Sequence, residues 1–140
     1  MMDLDNPVLV LCQEGMRAEA EGRPADARAS FERAWARRTD DYDACVAAHY
    51  LARHQDRSEE VLRWNQEALR HAEAVGDGRV AALYPSLHVS VALAHERLGE
   101  TLAARAAFER AAEHVEALPT DAYGEQLRTA VSAGLRRLDG

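Results

Sequence analysis

The sequence predicts an all-α fold in which short helices stack as repeats. Residues 22–34 and 99–111 spell one helix opening twice, and eight of the 13 positions are identical, including Gly22/Gly99, Ala27/Ala104, Phe31/Phe108 and Ala34/Ala111. Such self-similarity marks a stacked array. Composition is the second observation: 28 Ala but only 10 Val, four Thr and no Ile. Strands favour β-branched side chains, whereas Ala, Leu, Arg and Glu are the best helix formers. The third is punctuation, because Gly, Pro and capping residues cut the chain into segments of helical length.

Seven helices are expected in order. Pro7 suits a first helical turn, and the segment runs to about Glu21, where Gly22 stops it. Pro24 opens the second, which sets Ala27, Phe31 and Ala34 on one face and ends near Thr39. Asp40 or Asp41 caps the third, with Ala44, Ala47, Ala48 and Leu51 at helical spacing. Ser58 caps the fourth, which carries Val61, Asn65, Ala68, Ala72 and Val75 before Gly76-Asp-Gly78. The fifth runs from Arg79 to Leu98 with a kink at Pro85, or a short turn precedes Pro85 and the main helix starts there. Gly99 ends it, Thr101 caps the sixth, and Leu118-Pro119 closes that one. Asp121 or Ala122 starts the seventh, whose stripe is Leu127, Val131, Leu135 and Leu138. With no linker or low-complexity tract, residues 1–140 read as one domain.

Charge and cysteine usage exclude several classes. A net charge of −7 argues against a nucleic-acid partner, which asks for a basic face. All 17 basic residues are Arg, which reads as a GC-rich codon bias. Cys12 and Cys45 are too few for a disulfide framework and read as small hydrophobes in a reducing compartment. The apolar run Val8 to Cys12 is too short for a signal peptide or a membrane span, so the expected location is the cytoplasm.

Catalytic chemistry finds little support. Gly76-Asp-Gly78 follows a helix, whereas a dinucleotide-binding turn follows a strand. His95-Glu96 lacks the second zinc ligand, since Gly99 stands in its place. Asp40, Asp41 and Asp43 lack the glycine and distal Glu of a calcium loop. Without Lys there is no P-loop and no Schiff base. The expectation is therefore no enzyme, no cofactor and no metal. Cys12, Cys45 and His49 form the one constellation with soft-metal or redox potential. A polar and aromatic concentration stands out in mid-chain: His49, Tyr50, Arg53 and His54, then Arg63 to Gln66, then Tyr84, Ser86 and His88.

The spacing of Gly, then Ala five residues on, then Phe and Ala resembles the second half of a tetratricopeptide repeat, of a small bacterial type. The resemblance covers three hairpins, 7–39, 41–75 and 79–118, with residues 121–138 as a capping helix. It implies a right-handed α-solenoid. Gly15 and Ala92 are then the small residues between paired helices, and Ala27 and Ala104 the ones that meet the next unit. The middle hairpin departs from the pattern, lacking the turn glycine and carrying Val61 where the others have Ala.

The resemblance also implies a concave groove lined by the first helix of each hairpin. Carried over residue by residue, that groove presents Cys12 and Met16, then Tyr42, Cys45, His49 and Arg53, then Ser86, Val89, Leu93 and Arg97. The expected function is non-catalytic binding of a protein or peptide as an adaptor, with Arg53 offering a charged fork. The alternative is a small-molecule or ion-responsive module with a polar pocket around His49, Arg53 and His88. A homodimer formed through an Ala-rich face is a third possibility.

Overall fold

A computed structural model describes residues 5–81 and 83–139. Among the described residues there are eight α-helices and one 3₁₀ turn, with no strand. The helices are α1 (Pro7–Ala20), α2 (Pro24–Ala36), α3 (Asp41–Ala52), α4 (Ser58–Val75), α5 (Gly78–Ala81), α6 (Tyr84–Arg97), α7 (Thr101–Glu113) and α8 (Ala122–Asp139). Two compact units divide at Val75/Gly76. None of these helices is long and apolar enough to cross a membrane.

In the first unit α1 pairs with α2 and α3 with α4, and α3 also packs on α2 and α1. Its core gathers Val8, Leu11, Cys12, Phe31, Ala34, Ala47 and Leu51, with Met16, Trp35, Tyr50 and Trp64 against its edge. In the second unit α6 pairs with α7, and α8 packs on both.

The repeat written in the sequence is also a repeat of structure. Adding 77 to the bounds of α1 and α2 gives the bounds of α6 and α7 at all four ends. The joints match as well. Gly22 and Gly99 sit at φ 73° and 75°, the left-handed region where glycine carries no Cβ penalty. Beside them, the Arg23 N–H reaches the Ala18 carbonyl at 2.8 Å and the Glu100 N–H reaches the His95 carbonyl at 2.9 Å. Both are Schellman ends.

The helix starts differ from expectation in two places. Thr101 is the first residue of α7, and the cap position belongs to Glu100, which makes no side-chain cap bond. Likewise α4 begins at Ser58 itself. Asp40 does cap α3, accepting from the Asp43 N–H at 2.8 Å. Of the two readings around Pro85, the short turn is the one found: α5 ends at Ala81 and Pro85 lies in the first turn of α6. There its missing N–H leaves no hydrogen bond unmade. Ala82, within the expected third hairpin, lies outside the described residues.

Candidate functional surface

The expected groove lies on the first helix of each hairpin. In the first unit, Cys12 and Cys45 are enclosed, at 1% and 0% exposure. They do not line a surface. Small thiols in an alanine-rich interior let the helices close over them, and burial pushes Cys12 up to about 12 and Cys45 up to about 11. Neither thiol is the thiolate that metal ligation or exchange chemistry needs. Among the described residues no group of three or more His, Cys, Asp or Glu is placed to hold a metal ion. Met16, Tyr42 and His49 are half-buried.

Arg53 is exposed but already engaged, contrary to the free fork expected. Its guanidinium pairs with Glu19 of α1, and it lies over the Tyr50 ring with Cζ 4.8 Å from the centroid. His54 shares the other Glu19 oxygen at 2.7 Å. Tyr50 in turn stacks on Phe31 at 5.1 Å, with the planes 10° apart. Arg53 therefore works as a clasp between α1 and α3. His49 has a different problem. Its Nδ1 is enclosed without a hydrogen-bond partner, and burial, reinforced by Arg53, depresses its pKa to about 4.

A second cluster in this unit was not foreseen as a cluster. Asp43 is 3% exposed and accepts hydrogen bonds from Asn6 Nδ2 at 2.8 Å, Thr39 N at 3.1 Å and Thr39 Oγ1 at 3.0 Å. Asn6 also caps α1, receiving the Val8 N–H at 2.9 Å. Asp43 thus ties the start of α1 to the start of α3. Nearby, an open depression of about 480 Å³ is lined by Arg38, Thr39, Asp40, Asp41, Ala44 and His71. Its polar groups are mostly satisfied within the chain: His71 meets Asp41 at 2.7 Å and Glu67 at 3.1 Å, and Arg38 lies 3.9 Å over Trp35.

In the second unit Val89 is 5% exposed and His88 also 5%, so neither is presented to a partner. Ser86 and Leu93 are half-buried and Arg97 is exposed. Arg97 makes no ion pair among the described residues. The clasp seen at Glu19 recurs here, since Glu96 stands where Glu19 does in the repeat. Glu96 accepts two bonds from Arg137 of α8, both 2.8 Å, and this pairing lowers the Glu96 pKa. The signal was legible: the 77-residue offset that pairs Phe31 with Phe108 also pairs Glu19 with Glu96.

The chain matches no protein-family model, and no curated protein or solved structure matches it significantly.

Proposed function

We propose that this chain is a non-catalytic, cytoplasmic scaffold of tetratricopeptide-like hairpins, stacked as a right-handed α-solenoid, that binds a peptide segment of a partner protein. The observation that carries the reading is the recurrence of a whole hairpin, with its joint and the glutamate of its clasp, on one fixed spacing of 77 residues. Stacked repeats present extended concave binding surfaces, and the resemblance to tetratricopeptide repeats puts the successive first helices on that face. Of the residues expected there, those with side chains to offer are Met16, Tyr42, Ser86, Leu93 and Arg97. Methionine, aromatics and arginine are the residue types that peptide-binding surfaces favour. Arg97 takes the part first assigned to Arg53, a planar fork for an acidic side chain or a C-terminal carboxylate.

The test starts from a partner recovered by affinity capture and measured by titration calorimetry. Arg97→Ala is expected to weaken binding about tenfold, the scale of one charge-assisted hydrogen bond. Leu93→Ala acts on the same face and should weaken it as well. Full affinity in both variants would move the binding surface off the first helices.

The orphaned Nδ1 of His49 favours a second reading, a small polar ligand received at that ring. A ligand of that kind changes the His49 imidazole resonances in a protein-observed NMR titration; a peptide held at Arg97 leaves them in place.

A further inference from the structure

The six histidines differ in their partners. His54, His71 and His95 each meet a carboxylate, at 2.7, 2.7 and 2.9 Å. His88 and His114 meet none among the described residues. They stack on each other instead, with centroids 5.5 Å apart and planes 10° apart. Tyr84 completes the stack, 6.1 Å from His88 and 5.0 Å from His114. The cluster joins the first turns of α6 to the C-terminal cap of α7, where His114 sits.

The repeat shows how unusual His88 is. The matching residue of the first hairpin is Leu11, a core residue 5% exposed. An imidazole has replaced an aliphatic side chain at an equally buried position. The groups acting on its charge are His114, Arg110 and Glu113, all on α7 or at its end, and only Glu113 favours a proton.

The footing of α8 comes directly after His114 in the chain. The 3₁₀ turn Val115–Ala117 begins at the next residue. Arg128 of α8 donates to the carbonyls of Val115, Leu118 and Pro119 at 3.4, 3.2 and 3.3 Å. Gly124 rests so closely on Pro119 that a Cβ there would stand 1.9 Å from its carbonyl oxygen. A shift of His114 is therefore passed to the first turns of α8.

We propose that the Tyr84–His88–His114 stack is an acid-sensitive latch: neutral, it holds the end of α7 and the turn beneath α8, and on acidification the charge taken up by the stacked His88 imidazole releases that turn and loosens α8. The direction is set by linkage. Burial, then His114 and Arg110, hold the His88 pKa down at about 4, against 6.5 for an exposed imidazole. The opened state binds the proton more readily, so stability is lost as pH falls from about 6.5 towards 4. Each pH unit in that window raises the open-to-closed ratio by up to about tenfold for this imidazole.

Hydrogen–deuterium exchange of the full chain, corrected for the intrinsic effect of pH, tests the latch. Protection of residues 122–131 is expected to drop at least about tenfold between pH 6.5 and 4.5, while the α1–α2 amides, in a hairpin without histidine, change less. His88→Leu, which installs the residue of the first hairpin, should abolish the drop. His114→Gln removes the stacked ring that opposes a proton on His88, and should move the midpoint down by about half a pH unit or more. An unchanged transition in either variant, or full protection of α8 in the parent chain at pH 4.5, overturns the proposal.

Discussion

The α1–α3 and α6–α8 triplets solve one packing problem in two ways. Each holds on its second helix a phenylalanine with no exposure, Phe31 or Phe108. In the first triplet the small residue is on the first helix: a Cβ at Gly15 would stand 2.4 Å from the Phe31 ring, and the third helix supplies the large Tyr50. In the second triplet the first helix carries Ala92, and the gap moves to the third, where a Cβ at Gly134 would stand 2.4 Å from Phe108. The arginine one turn on does the same. Arg53 lies over Tyr50, whereas Arg137, with no tyrosine beneath it, reaches towards Phe108 at 6.0 Å. A close-packed ring needs one small neighbour, and the two triplets place it on different helices.

The largest effect expected from breaking this comparison is removal of the third helix. Deleting residues 121–140 uncovers Phe108 and should give a chain that aggregates or melts well below the parent, as read by thermal unfolding and sedimentation. A monomer of unchanged stability would show that α8 is an appendage. A point substitution comes next. Gly134→Ala pushes a methyl into Phe108 and should cost about 1–3 kcal/mol by chemical denaturation. Adding Ala92→Gly gives the ring somewhere to move, and should recover a good part of that loss. If the double variant is no better than Gly134→Ala alone, the two triplets do not share one volume. The smallest effect concerns the clasps. Glu19→Gln leaves Arg53 and His54 without their carboxylate, but the site is partly exposed, so at most about 1 kcal/mol is expected, less at high salt. A loss that salt does not reduce would mean that Glu19 acts through packing and not through charge.

Much of the helical organisation could be read directly from sequence, and the reason is local. Gly22 and Gly99 need only their own φ to end a helix, and Pro24 and Pro85 need only their own ring to start one. Burial of Ala27 and Ala104 could be read from the duplicated segment. The surface was far less legible. Arg53 was expected to offer a free fork, but its partner Glu19 lies 34 residues back on another helix. Asp43 looked like part of an acidic run until Asn6 and Thr39 folded onto it. The family resemblance also put Cys12, Cys45 and Val89 on the groove side without revealing how closely alanine-rich helices approach, and that closeness is what buries them.

The exposed face of α8 can be set against the same face of α3. Matching Arg53 to Arg137 and Tyr50 to Gly134 sets α3 and α8 in register, with Cys45, Ala48 and Ala52 falling on Thr129, Ser132 and Arg136. The first three are buried in α3, which has α4 as its hairpin partner; the last three are exposed. Three side chains thus separate a helix face that packs from one that stays exposed. Exchanging Thr129, Ser132 and Arg136 for Cys or Ala, and placing a copy of residues 53–75 after α8, would make α8 the first helix of a further hairpin. Chains of graded length could then be built from this one as a molecular ruler.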